Sequence, residues 1–158
     1  MGASGVPRRT LLKGDPYHCE CRKTARLLGE RVGLAADELV VTFQSRFGAA
    51  EWLQPYTEPT LVALARRGVK RVDVICPGFT SDCLETLEEI DLEARAAFLN
   101  AGVTEFNVLP CLNDQHEWIA ALAALAIQHL QGWPTSVAAD PAALEAQRQR
   151  AIAAGAAS

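Results

Sequence analysis

No stretch of this 158-residue chain interleaves Lys or Arg with aromatic side chains, and 15 basic residues stand against 19 acidic ones for a formal charge of -4. Nucleic-acid grooves need the opposite, a basic stripe with stacking platforms, so no nucleic-acid partner is expected. Unbroken apolar runs of about 20 residues are absent, which excludes a membrane-spanning helix. The head MGASGVPRRT has no apolar core of the kind a secretory signal carries, and the expected compartment is the cytoplasm. There is no G-x-G-x-x-G turn and no C-x-x-C pair, which leaves little behind a nucleotide-binding or redox reading. Five cysteines cannot all pair, and four of them fall in or beside predicted regular elements, so they are read as reduced thiols without disulfides.

What is present is apolar enough, at 49% of residues, to bury the core of one ordinary domain. Cys21, Ala25, Leu28 and Val32 recur at three to four residues, which predicts a helix over 18–32 closed by Gly33. ELVVTF (38–43) reads as a buried strand and is followed by the long loop QSRFGAAEWLQPYTEP. Thr57 is placed to cap a helix ending at Gly68, 69–76 supplies a second strand, and 83–101 a helix with Leu87, Ala94, Phe98 and Ala101 on its buried side. EFNVLPCL is the third strand, and Asp114 with Glu117 forms a capping box for a helix to about residue 131.

Helices and strands thus alternate, which predicts an α/β fold: a parallel sheet flanked by helices on both faces, a Rossmann-like three-layer arrangement. Residues 1–17 carry glycines, two prolines and charges instead of an apolar run, so they are read as an irregular head, and the sheet as lacking its first strand. The organisation expected is this head, an α/β domain over 18–133, and an Ala-rich tail over 134–158 that is helical or frayed. Ligands of such sheets gather at the carboxyl ends of strands, here near Thr42 to Arg46, Cys76 to Thr80 and Pro110 to Asp114.

The stretch CPGFTSDCLETLEEID sets Asp82, Glu85, Glu89 and Glu93 at three- and four-residue spacing on one helix face. Like charges so placed cost about 0.2 to 0.5 kcal/mol per pair. Asp82-x-x-Glu85 matches a capping box, and acids in a first turn suit the helix dipole. Glu89 and Glu93 lie beyond that dipole, where the face is either solvated or turned to a divalent cation or a substrate proton. His18, Cys19 and Cys21 are close in sequence but lack the second pair that a zinc site requires. Arg46, Trp52 and Tyr56 fit either a surface loop anchored by a buried Trp or an aromatic and cationic wall for a flat, acidic ligand.

Taken together and in this order, GDPYHCECRKTARLL, TFQSRFGAAEWLQPYT, VICPGFTSDCLETLEEID and LPCLND resemble the carboxyl-terminal half of ferrochelatase, over about residues 5–133. The resemblance implies a chelatase-like fold of two similar α/β halves around a porphyrin cleft. It implies insertion of ferrous iron into protoporphyrin IX to form haem, the lyase step that ends haem biosynthesis. Glu85 would then bind iron or take pyrrole protons, with Glu89 continuing the acidic path, and Trp52, Arg46 and Ser45 would face the porphyrin. Iron is substrate, no permanent cofactor is expected, and no iron–sulfur cluster.

The family's metal- or proton-handling His would fall at Ser4, and a hydroxyl is neither a useful base near neutral pH nor a good iron ligand. The chain is therefore read as a partial enzyme. The alternative is a non-catalytic half-domain that binds porphyrin or metal, or that assembles with another chain or with itself.

Overall fold

The computed structural model describes residues 1–133 and 140–157. Gly2–Ser4 form a strand, β1, and Arg8–Leu12 a short helix, α1, where the sequence predicts an irregular head and a missing first strand. Both expectations are corrected, and the reason is steric. A Cβ on Gly2 would stand 2.7 Å from Gln44 Oε1 and 3.2 Å from Cys76 Sγ, and one on Gly5 would stand 2.7 Å from the Gln44 carbonyl oxygen. A strand squeezed this closely accepts small residues and so lacks the β-branched signature by which strands are read.

β1 pairs in parallel with β2 (Thr42–Gln44) in the register Gly2 to Thr42, Ala3 to Phe43 and Ser4 to Gln44. β3 (Arg71–Val74) pairs in parallel with β4 (Glu105–Val108). These form two separate two-stranded sheets, and the Gly2 N–H donates to the Ile75 carbonyl, just past the end of β3, at 2.9 Å. The first strand is thus present, paired along one side with β2 and bonded to Ile75 through the Gly2 N–H.

Alternation along β1 and β2 sends neighbouring residues to opposite faces. Ala3 and Phe43 meet Ala25 of α2 (Tyr17–Val32), whose C-terminus is closed by Gly33 at φ 77° as predicted. Gly2 and Gln44 face Cys76 and Ile90 on the other side. There α3 (Thr57–Arg66) and the helical run beyond Cys83 pack with Leu61, Ala65, Ile90, Ala94 and Phe98 against Val74 and Phe106. The three-layer α/β arrangement is therefore present, with small parallel sheets.

Several boundaries differ from the sequence reading. Thr57 is the first residue of α3 rather than its cap, and its hydroxyl donates to Thr42 Oγ1 at 3.0 Å. The helix predicted over 83–101 is three pieces: α4 (Leu84–Leu87), a π-helical segment (Glu89–Ala94) and α5 (Arg95–Asn100). The Glu93 N–H reaches back five residues to the Glu88 carbonyl at 2.9 Å. Thr86, Ile90, Ala94 and Phe98, spaced by four residues, are buried together, a period wider than the 3.6 of an α-helix. Leu87, predicted to be inside, precedes this segment and is 54% exposed, its neighbour Thr86 being the buried residue of α4.

The chain divides into Met1–Trp118 and Ile119–Ser158. α6 (His116–His129) begins two residues after Asp114, so Asp114 and Glu117 are not in the cap and N3 positions that a capping box requires. Ile119, Leu122, Leu125 and Ile127 of α6 are exposed. In the second unit the Asp140 carboxylate caps α7 (Pro141–Ala153) by accepting the Ala142 N–H at 2.9 Å. Residues 134–139 of the predicted tail lie outside the described residues. No described helix is long and apolar enough to cross a membrane.

Candidate active site

β2 ends at Gln44, and the next residue, Ser45, turns the chain with φ 64°, in the left-handed region that non-glycine residues enter at a cost. That turn carries two hydrogen bonds to the acidic helix. Buried Gln44 donates through Nε2 to the Glu85 carbonyl at 2.7 Å, and the Ser45 hydroxyl donates to Glu89 Oε2 at 2.7 Å. Arg46 then lays its guanidinium carbon 4.2 Å from the centre of the Tyr56 ring, a cation–π contact.

These residues border a cavity of about 490 Å³. One side is built from Ser45, Arg46 and Tyr56, with Glu58 at the start of α3; the other is built from Glu88, Glu89 and Glu93. Four carboxylates and one guanidinium around an open hollow suit a cationic species or a proton acceptor role, with a flat face available at Arg46 and Tyr56. Among the described residues, no three His, Cys, Asp or Glu side chains stand close enough together to cage a metal ion.

Ser45, Arg46 and Glu89, singled out from the sequence, meet at this cavity; Glu85 and Trp52 are not among its lining residues. Glu85 lies one turn before Glu89, and a hydrogen bond from the Cys83 thiol holds its carboxyl below the ordinary value. Trp52 donates its indole N–H to the Phe47 carbonyl at 3.0 Å, meets the Phe47 ring edge-on at 6.0 Å, and lies against Gly5. It anchors the loop.

Asp82 does not form the expected box with Glu85. The N-cap residue is Cys83, whose N–H donates to Thr86 Oγ1 at 3.0 Å. The Asp82 carboxylate instead accepts from the Asn113 side-chain amide at 2.8 Å, the Thr86 hydroxyl at 3.1 Å and the Cys111 N–H at 3.2 Å. Those donors, Asn113 foremost, hold it below its ordinary range. Asp82 thereby ties the start of α4 to the loop after β4.

The motif YHCECRK is likewise dispersed. His18 stacks on Phe43 at 5.6 Å between ring centres, Cys19 is exposed, and the Cys21 thiol is pushed up chiefly by burial. Sequence reasoning missed Gln44 and Asn113 because a polar residue at a strand end or in a turn reads as ordinary until its partner is known. A buried amide one residue before a left-handed turn is the signal that could have found Gln44.

The Ferrochelatase family model matches residues 1–130. The ferrochelatase of Methylibium petroleiphilum is 69% identical over 152 residues, an alignment covering 96% of this chain and 42% of that relative. The ferrochelatase of a Polaromonas species is 62% identical over 156 residues, covering 99% of this chain and 42% of the relative. That of Herminiimonas arsenicoxydans is 62% identical over 151 residues, at 96% and 40%. The chain therefore spans about two fifths of the length of these curated relatives. With the match covering most of its residues, the chain belongs to the ferrochelatase family.

Proposed function

We propose that this chain carries the carboxyl-terminal part of a ferrochelatase site and takes part in inserting ferrous iron into protoporphyrin IX. The observation that carries the reading is the acidic wall of the cavity, with Glu89 opposite Arg46 and Tyr56, in a chain 69% identical to a protein named ferrochelatase. Metallation removes two pyrrole protons and delivers a divalent metal to the freed nitrogens, so it needs carboxylates that can both accept protons and hold a cation briefly. Glu85 and Glu89, one helical turn apart, would share that work, with Glu85 the metal-binding group. Arg46, Ser45 and Trp52 would bound the porphyrin. Iron enters as substrate, no resident cofactor or iron–sulfur cluster is required, and the cytoplasm is the proposed compartment.

The test is the loss of protoporphyrin fluorescence with ferrous iron or zinc under anaerobic conditions. Glu85→Gln and Glu89→Gln should each slow it by about a hundredfold or more, the usual scale for a lost acid–base group. Equal rates in the variants and the parent chain would refute the assignment.

Ser4 favours a second reading. It stands at the end of β1 where the family resemblance calls for His, and its carbonyl accepts the Tyr17 hydroxyl at 2.8 Å. A site without that imidazole is a non-catalytic half that binds porphyrin or metal or assembles with another chain. On this reading the chain alone quenches protoporphyrin without metallating it, and Ser4→His combined with the part of the Methylibium petroleiphilum protein outside the alignment raises insertion at least tenfold. Full insertion by the unaided parent chain would exclude it.

A further inference from the structure

At the junction where α4 gives way to the π-helical segment, the i to i+4 bonding pattern is interrupted, and its backbone carbonyls gain from a donor supplied from outside the helix. Gln44 is such a donor. Its side chain is buried at 6% exposure, with Nε2 2.7 Å from the Glu85 carbonyl oxygen and Oε1 facing the Cys76 thiol at 3.8 Å. The adjacent Ser45 is held at φ 64°, and from that turn its hydroxyl meets the Glu89 carboxylate at 2.7 Å. Two consecutive residues of one strand end thus grip the helix at points one turn apart, the first by backbone and the second by side chain. A non-glycine residue kept in the left-handed region is retained where surrounding contacts hold it there, and here the contact is the carboxylate itself.

We propose that Gln44 and Ser45 are positioning residues that clamp the α-to-π junction and so set the spacing of the Glu85 and Glu89 carboxylates. The link from that spacing to metal insertion rests on the function proposed above; the clamp itself does not. Ser45→Gly relieves the left-handed turn and removes the hydroxyl, whereas Ser45→Asn tolerates the same turn and restores a donor. Gln44→Met keeps the approximate volume and removes both polar contacts.

Amide hydrogen exchange of the full chain, read residue by residue, tests the clamp. Ser45→Gly should speed exchange across residues 89–94 at least fivefold and leave β3 and β4 as in the parent, and Ser45→Asn should return the segment to within twofold of the parent. Gln44→Met should speed exchange at the same junction; should it fail to fold, the Ser45 pair decides alone. A merely permissive turn would make Ser45→Gly neutral or slower to exchange, and that result, or equal exchange in the Gly and Asn variants, overturns the proposal. Zinc insertion followed on the same samples separates the two claims. With the clamp in force, Ser45→Gly and Gln44→Met both raise the KM for metal, and Ser45→Asn returns it toward the parent. A parent chain that inserts no metal refutes the proposed function while the exchange data still judge the clamp.

Discussion

Single side chains in this fold are set by their hydrogen bonds more than by their place in a sequence motif. Asp82 reads as a helix cap, yet its carboxylate braces Asn113, Thr86 and the Cys111 N–H. Its folded-state value is depressed below 3.8, so it stabilises the fold above that pH and loses the contribution as pH falls through the depressed value. Asp82→Asn should therefore melt lower than the parent at pH 7, with the gap narrowing as pH falls below the ordinary carboxylate range and the folded protein takes up the proton. A gap that persisted in acid would assign the effect to shape instead of charge. Thiol chemistry separates the cysteines in the same way. Burial pushes Cys76 up to about 11 and Cys111 up to about 12, while Cys19 is exposed. Iodoacetamide at pH 8 should label Cys19 well before either, since roughly one Cys76 in a thousand is then thiolate. Mass spectrometry of partial digests reads the order.

At the scale of elements, what could be read from the sequence follows from how large an apolar pattern each element displays. Cys21, Ala25 and Leu28 form a stripe on α2, and Gly33 closes it where expected. The stretch 69–76 announces β3 and EFNVLPCL announces β4, though each strand is shorter than the stretch that announces it. β1 was invisible because its crowding selects Gly-Ala-Ser, residues without strand character. The acids were legible as a group, and their partners were not: the Ser45 to Glu89 bond joins residues 44 positions apart, which no local periodicity encodes. The π-helical segment is hidden from the sequence because its buried residues are spaced by four, close enough to 3.6 to pass for an α-helix. Two substitutions test these elements. Gly5→Ala places a methyl against the Gln44 carbonyl oxygen and should cost about 1 to 3 kcal/mol by denaturant unfolding. Phe98→Ala removes a ring that is fully buried against Phe106 and should cost about 3 to 5 kcal/mol. A loss under about 1 kcal/mol in the latter would mean that α5 is not anchored where it is seen.

For the molecule as a whole, the central fact is that a family member spanning about two fifths of its relatives contains one acidic wall and one aromatic rim. The way β1 is held has a further consequence for the order in which the fold can form. Gly2 bonds to Ile75 and Ala3 lies beside Phe43, so every partner of this strand is far along the sequence. Contacts of such long range cost more loop-closure entropy than those of a local helix such as α2, and β1 can take its place only once both partners are already in theirs.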